Sequence, residues 1–566
     1  MDGVSGGFGL GAETRGLLAA ARRGLGERAR AQVEACARRM DEPLRVALAG
    51  QLKAGKSTLL NALVGQDIAP TDATECTRLV TWYRHGVAPR VTAHSGDGAR
   101  ADVVVRRSRG VDGLAGAHGL TFDLAAPRWN PPGAREVDHL EVHWPSAELE
   151  RTTIVDTPGI SSLSRDVSAR TSRLLTPGAD SAPLPSADAV IYLLRRLDSA
   201  DIDFLERIGS DTGSDRNGAS VSGAHASHTP NALAPHARPG GGTAHGGQAA
   251  APAAHNTRSA APLGVIGVVS RADEIGAGRL DALHSARDVA ARFAGELERT
   301  GLCQSVIPVA GLLAFAAATL RQREFAAFEA LAAVPVDDLS LALLSADRFG
   351  RPDLSLPVPP ELRVHLAARF GLFGIRLAVT LIRLGVRDSA ALAAELTRRS
   401  GLDELRTVLD VQFAQRAEEL KAHSALTGLA RILAAHPGVT ADALLPRVRT
   451  LLADVHGFAE LRLLGHLRTG ELPLPPADLT ELHRLIGGAG VATHLRLDLP
   501  AHADLPTQRA SALAAVQKWR ARARHPLADQ FLSNACLTAV RSAEGLLDVL
   551  HEPPTTPFAR IQGHNG

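Results

Sequence analysis

The octapeptide Gly50-Gln51-Leu52-Lys53-Ala54-Gly55-Lys56-Ser57 carries glycines, a lysine and a hydroxyl at the spacing that a phosphate chain requires. Glycines let the backbone wrap close to phosphate oxygens, and the N–H groups of the loop and of the following helix favour negative charge. Lys56 then reaches the terminal phosphates, and Ser57 can ligate Mg²⁺. The flanks agree with this reading. Val46-Ala47-Leu48-Ala49 reads as a strand, and Thr58-Leu59-Leu60-Asn61-Ala62-Leu63 as a helix whose first residue, Thr58, belongs to the same site. The chain otherwise relies on arginine for positive charge. Its lysines are Lys53, Lys56, Lys421 and Lys518, so the pair in this loop points to a chemical requirement.

Four more stretches complete a nucleotide site. Thr152-Thr153-Ile154-Val155 reads as a strand ending in Asp156-Thr157-Pro158-Gly159, where Asp156 can hold the Mg²⁺ water shell and the Gly159 N–H can meet the γ-phosphate. Ala187 to Leu194 and Val265 to Val269 are continuous apolar runs, as in buried parallel strands. The second ends in Ser270-Arg271-Ala272-Asp273, where a carboxylate can accept from both N1–H and the exocyclic amine of guanine, a pair of donors that adenine lacks. A third strand, Val306 to Val309, leads to Ala310-Gly311, where a backbone amide can contact the base oxygen. Pro70 to Arg78 is a polar loop. A threonine there can bind Mg²⁺ and the γ-phosphate and so order the loop in the triphosphate state, although taken singly and without context each threonine reads first as a turn hydroxyl.

At 566 residues the chain is long enough for two or three folded units. The balance of 62 Lys+Arg against 60 Asp+Glu leaves a net charge of +2, which argues against general nucleic-acid binding. The cores must be built from Leu, Ala and Val, because aromatics make up only 4% of the residues. Cys36, Cys76, Cys303 and Cys536 have no paired spacing, which suits the cytoplasm. The N-terminus has no basic start followed by an apolar core, so no secretory signal is expected. Leu302 to Leu320 is uncharged, but Gln304, Ser305, Pro308 and Gly311 argue for a strand, a turn and a helix instead of a membrane span.

Apolar residues recur at Leu18, Ala21, Leu25, Ala29, Val33, Cys36 and Met40, the stripe of one helix over Ala12 to Met40. Gly209 to Ala261 is rich in Gly, Ser, Ala, Pro and His and reads as a disordered insertion. From Phe315 the pattern is mostly helical. Leu402, Leu405, Leu409, Phe413 and Leu420 share a face, and Ala512 to Leu550 is helical with a break at Pro526. Arg369, Arg376 and Arg383 would line one side of a helix, either as a solvated face or as a basic face toward anionic lipid.

Together these motifs resemble the bacterial dynamin-like GTPases, most closely the actinobacterial branch that includes the isoniazid-inducible Ini proteins. The resemblance is strong from Leu44 to about Leu320 and loose beyond. It implies an α/β P-loop GTPase domain, with a mixed, mostly parallel sheet and helices on both faces, plus an α-helical bundle neck or stalk. The expected layout is an N-terminal helix over 1–42 packed into the bundle, a GTPase domain over 43–330 interrupted by an insertion at 209–261, and a helical region over 331–566. The resemblance places Thr77 as the switch threonine, and likens Lys53 to the basic loop residue that acts in cis in guanylate-binding proteins. The segment with Asp198, Asp201 and Phe204 also resembles the family pattern. The base motif departs from it, because Arg271 stands where lysine is usual and would have to stack on the base.

The resemblance further implies GTP and Mg²⁺ as cofactors and self-association through GTPase domains. A paralogous dynamin-like protein and an anionic membrane at the inner face of the plasma membrane are further candidate partners. A nucleotide-switched scaffold that remodels no membrane and an ATP-fuelled relative are the alternatives. Gly159 is followed by Ile160, which cannot orient water as the glutamine of Ras-like enzymes does. By elimination, Thr77 and Lys53 are the candidate catalytic groups beside Lys56.

Removing Ser210 to Ala260 should leave soluble expression and nucleotide turnover unchanged, because a shorter loop can still join the flanking elements. Comparing thermal melting and turnover of the shortened and full-length chains tests this, and loss of soluble protein would show that the segment packs on the domain.

Overall fold

A computed structural model describes residues 5–70, 79–107, 120–130, 133, 135–159, 187–209, 264–298, 303, 305–454, 456–469 and 472–551. Thr77, Ile160 and residues 210–261 of the expected insertion lie outside the described residues.

The apolar runs become strands β1 (Leu44–Gly50), β7 (Thr152–Asp156), β8 (Ala189–Leu194), β9 (Gly264–Ser270) and β10 (Ser305–Val309). Between β1 and β7 lie β2 (Val80–His85), β3 (Arg90–His94), β4 (Arg100–Arg107), β5 (Leu120–Asn130) and β6 (His139–Trp144). All ten form one sheet in the order β10-β9-β8-β1-β7-β2-β6-β3-β4-β5. The half from β10 to β7 is parallel, β2 runs antiparallel to β7 and parallel to β6, and the pairs from β6 to β5 are antiparallel. β5 opens on the alternating run Leu120-Thr121-Phe122-Asp123-Leu124, with Leu120 and Phe122 buried, a strand signal outside the motifs singled out above.

Helices cover both faces of the parallel half, as continuous apolar strands demand. On one face, α3 (Lys56–Val64) packs with Val46, Leu48, Ile154 and Ile191; on the other, Phe204 of α4 (Ser199–Gly209) and Leu297 of α5 (Ala282–Glu298) meet Ala47, Val155 and Val190. The uncharged stretch around residue 310 is the expected strand, turn and helix: β10 leads into α6 (Gly311–Ala318).

The N-terminal stripe does not run through one helix. It divides into α1 (Ser5–Gly24) and α2 (Glu27–Asp41), folded back as an antiparallel hairpin with Arg15 bonded to Asp41 at 3.2 Å. The reason is local: Gly26 caps α2 with an extended ψ of 167°, and Gly24 lies so close to Thr440 that a Cβ would fall 2.2 Å from its hydroxyl. Both halves of the stripe then bury against one bundle.

The helical region does not begin as a separate unit after residue 330. α7 (Gln322–Ala332), α8 (Val336–Ala342), α9 (Pro360–Arg383) and α10 (Ser389–Arg398) share an apolar core with α6. Leu402 and Leu405 of α11 (Leu402–Leu409), and Phe413 after it, lie in the core under the sheet. The face expected to run from Leu402 to Leu420 is divided by a π turn at Asp410–Ala414, and the helix that follows, α12 (Ala417–Ala435), packs on α1, α2 and α13 (Val439–Asp454).

Of the three arginines of α9, Arg369 is buried, Arg376 half-buried and Arg383 exposed, and all three are drawn onto backbone carbonyls. Arg369 donates to the Thr319 carbonyl at 3.0 Å and pairs with Glu324 at 2.8 Å; Arg376 donates to the Gly278 and Leu343 carbonyls; Arg383 donates to the Ala332 carbonyl at 3.0 Å and to that of Val334. Guanidinium groups thus satisfy the unpaired carbonyls at the C-terminal ends of α6, α7 and α8, where positive charge is also favoured by the helix dipole. α9 is the one helix among the described residues long and apolar enough to cross a membrane, and 67% of its most apolar stretch is buried as core.

The remaining helices, α14 (His456–Thr469), α15 (Pro476–Leu485), α16 (Leu505–Ala523) and α17 (Gln530–His551), enclose their own core around Trp519; the break near Pro526 is present between the last two. Buried Glu460 of α14 ties these parts together. It accepts from Ser542 at 2.6 Å, pairs with Arg416 and His456 at 3.2 Å each, and contacts Arg496. Burial alone would raise its pKa, but Arg496, His456 and Arg416 hold it well below the carboxylate range.

A depressed carboxylate stabilises the fold above its unfolded value, and that stabilisation is lost as pH falls below about 4.3. Glu460→Ala should therefore cost about 3–5 kcal/mol at neutral pH, by leaving two guanidinium groups buried without their partner, and should flatten the acid limb of the stability profile. Urea unfolding between pH 3 and 7 measures both; a stability unchanged by the substitution would remove Glu460 as the tie.

Candidate functional site

The loop between β1 and α3 is wound by three left-handed residues: Gly50 (φ 142°), Lys53 (φ 60°) and Gly55 (φ 92°). At Gly50 a side chain is impossible, because a Cβ would lie 2.5 Å from the Leu193 carbonyl oxygen. Lys53 holds a conformation that costs a non-glycine residue about 1–3 kcal/mol, and its side chain is exposed at the rim next to Leu52. Ala54 is fully buried and fixes the turn beneath them. The Gln51 amide donates to Asp198 at 2.8 Å and to Asp201 at 3.1 Å, while Tyr192 donates to Asp201 at 2.6 Å. The acidic pair whose pattern the sequence shows thus anchors the loop to the start of α4.

Lys56 is buried. Its ammonium donates to the Gly50 carbonyl at 3.2 Å and the Gln51 carbonyl at 3.1 Å, spanning the mouth of the loop. Burial pulls its pKa down, and the nearby Asp156 carboxylate opposes the shift. Ser57 donates its hydroxyl to Asp156 Oδ2 at 2.8 Å, bringing the first turn of α3 to the end of β7. Burial pushes the Asp156 pKa up against the pull of Lys56 and Ser57.

The other carboxylate oxygen, Asp156 Oδ1, is buried without a partner. A hard oxygen donor left unsatisfied beside a serine hydroxyl fits Mg²⁺, which takes few protein ligands and fills its shell with phosphate oxygens and water. Among the described residues, no group of three His, Cys, Asp or Glu side chains is placed to hold a metal. Gly159 closes the same corner: a Cβ there would lie 2.7 Å from the Leu52 backbone, which makes glycine a steric requirement where the two motifs touch.

The residues expected to read the base lie across the C-terminal edge of the sheet. An open cleft of about 200 Å³ there is lined by Gly55, Thr58, Ser270, Arg271, Asp273 and Gly311 among others, uniting the loop with the other motifs. Ser270 donates to the Leu194 carbonyl at 3.2 Å and so fixes the end of β9 on β8. Arg271, at φ 54°, turns the chain and pairs with Glu274 at 2.7 Å. Asp273 is nine-tenths covered, and burial, reinforced by the Glu274 charge, pushes its pKa up to about 6 against the pull of Arg271.

The geometry corrects one expectation. The Ala310 N–H is donated to the Ser400 carbonyl at 2.8 Å, so it is committed to packing the segment before α11 and cannot read a base. Gly311, the first residue of α6, remains in the cleft lining. The sequence pattern also gives no sign of Ala368 of α9, which lines the cleft from far along the chain; the only local signal is Gly371, a glycine within an apolar helix.

The family model described as "Dynamin family" matches residues 46–195. Over 516 residues the chain is 48% identical to the Isoniazid-induced protein IniC of Mycobacterium tuberculosis, covering 91% of this chain and 92% of that protein. It is also similar to the Bacterial dynamin-like protein of Nostoc punctiforme, at 31% identity over 20% of this chain and 16% of that protein. The Isoniazid-induced protein IniA of M. tuberculosis is 33% identical over 27% of this chain and 21% of that protein.

Asp273 must be ionised to accept from guanine. As pH falls through about 6 the acceptor is lost, so guanine-nucleotide affinity should fall below that pH and approach tenfold per unit. Fluorescence titration of a labelled guanine nucleotide from pH 5 to 8 reads the profile. Asp273→Asn should abolish the inflection and shift preference toward xanthosine nucleotides, whereas an unchanged profile would exclude Asp273 as the base reader.

Proposed function

Because the chain belongs to the bacterial dynamin-like proteins, alongside IniC, we propose that it binds and hydrolyses GTP with Mg²⁺ and couples nucleotide state to self-association at a membrane. The observation that carries this reading is that Gly55 and Thr58, which flank Lys56 and the Asp156-bonded Ser57 in the chain, line one cleft together with Ser270, Arg271 and Asp273.

Each group has one task. Lys56, now spanning two carbonyls, turns its charge to the β- and γ-phosphates when they replace those acceptors. Ser57 and the unpaired oxygen of Asp156 hold the ion, which when bound screens the phosphate charge that repels an attacking water. Asp273 selects guanine over adenine by accepting from two donors. Lys53, preset at the rim, is placed to offset charge developing between the β and γ phosphates, and Thr77 supplies the carbonyl and hydroxyl that orient water.

Lys53 and Leu52 are exposed beside the phosphate loop, with Leu52 45% accessible, so a second GTPase domain docked across this face would cover them and order the catalytic groups. The membrane proposed is the inner face of the plasma membrane, and a paralogous dynamin-like chain is a candidate partner. A scaffold that responds to GTP and leaves the membrane alone is the second reading, and dependence of turnover on lipid separates the two.

Turnover per molecule should rise with protein concentration and with anionic liposomes, using GTP and not ATP. Lys53→Ala should lower the maximal rate by about 10²–10³-fold while GTP affinity holds, and Thr77→Ala should act in the same direction. Phosphate release assays across concentration measure this. Flat specific activity, or normal rates in both variants, would replace the dimer-activated mechanism with a passive switch.

A further inference from the structure

α9 carries a conformational break that its composition does not demand. Gly371 sits at φ 62°, ψ 173°, outside helical geometry, with helix continuing on both sides. Glycine is the residue that adopts such a conformation freely, and a break of this kind bends the helix.

The bend lies over the base-reading loop. A Cβ placed on Gly371 would stand 3.6 Å from Asp273 Oδ2, so the helix passes directly beside that carboxylate. Ala368, one turn earlier and exposed, lines the nucleotide cleft together with Asp273, Arg271 and Gly311.

The helix is fixed on both sides of the bend. Before it, Arg369 is tied to the Thr319 carbonyl and to Glu324, which also bonds His365 at 2.8 Å. After it, Arg376 donates to the carbonyl of Gly278, at the end of the turn that begins with Arg271, and to that of Leu343. Gly374 seats the helix on α6, because a Cβ there would come within 2.9 Å of Leu313, next to the cleft residues Gly311 and Leu312.

From this placement we infer that α9 forms a wall of the guanine subsite. Ala368 is its specificity-determining contact, and Gly371 is the side-chain-free bend that brings the helix past Asp273. The helical region then takes part in choosing the base, in addition to receiving the nucleotide signal. A small residue at 368 leaves room for an unsubstituted purine and excludes a base bearing a bulky substituent. The inference rests on the proposed guanine-nucleotide reading and adds to it which part of the chain bounds the base.

The test uses the full-length chain with Mg²⁺, titrated with a ribose-labelled GDP, and with inorganic tripolyphosphate as a competitor that reaches only the loop end. Ala368→Leu is expected to weaken the guanine nucleotide at least tenfold, to leave the tripolyphosphate inhibition constant within twofold, and to keep the melting midpoint of the unaltered chain. Ala368→Gly is expected to gain at least fivefold in affinity for a GDP analogue benzylated on the base, which decides the matter if the leucine variant fails to fold. Unaltered guanine-nucleotide affinity in Ala368→Leu, a parallel loss of tripolyphosphate binding, or no gain by Ala368→Gly would each overturn the wall while leaving the GTP reading intact. Absence of guanine-nucleotide binding by the unaltered chain would instead overturn the parent reading, and this one with it.

Discussion

A lysine ammonium and an aspartate carboxylate, both out of water, set the terms for the rest of the site. Lys56 and Asp156 are each penalised by burial, and each offsets the other's penalty. A buried charge is tolerable only when paired and hydrogen-bonded, so the loop must be wound until its own carbonyls reach Lys56, and Ser57 must reach Asp156. The contacts that hold this winding are steric as well as polar: Gly50 against Leu193, Gly159 against Leu52, and Gln51 against Asp198 and Asp201. The Asp156 oxygen still without a partner is where the arrangement is incomplete by itself, and it is the atom that the proposed Mg²⁺ would satisfy.

The same economy with charge recurs outside the cleft. Lys421 is buried and donates to the Met40 carbonyl at 2.8 Å, joining the end of α2 to α12 just before β1 begins. Lys518 pairs with Asp478 and Glu481 between α15 and α16. Arginines do the larger share, and α9 shows why: a planar fork with several donors can satisfy the carbonyls at a helix end and an acidic side chain together, which an ammonium does less well. The regular spacing of Arg369, Arg376 and Arg383 is therefore the spacing of three neighbouring helix ends, whose carbonyls take up the guanidinium donors even at exposed Arg383.

Arg39 extends this logic to the sheet. Its guanidinium meets buried Asp188 at 2.5 Å, and Asp188 also accepts from the Arg45 backbone, so the N-terminal hairpin is joined to the ends of β1 and β8 beneath the nucleotide loop. Glu460 plays the corresponding part among the later helices. Both ties join elements that are far apart in the chain through buried charge pairs.

The amino-acid sequence by itself determined the chemistry that is local: the phosphate loop, Asp156 to Gly159, and Ser270 to Asp273 each fit within a few residues, where glycine conformations and apolar runs are strongly constrained. It also determined the parallel strands, whose uninterrupted apolar character needs no partner to be recognised. Only the tertiary structure decided what depends on groups far apart in the chain. The hairpin of α1 and α2 follows from a close approach to Thr440, Ala310 loses its amide to Ser400, and the arginines of α9 find carbonyls on three other helices. Ala368 enters the cleft because a bent helix crosses Asp273. A hydrophobic period specifies which face of an element is buried but not against what, and a polar residue in sequence does not name its partner. Those choices are made when the cores close.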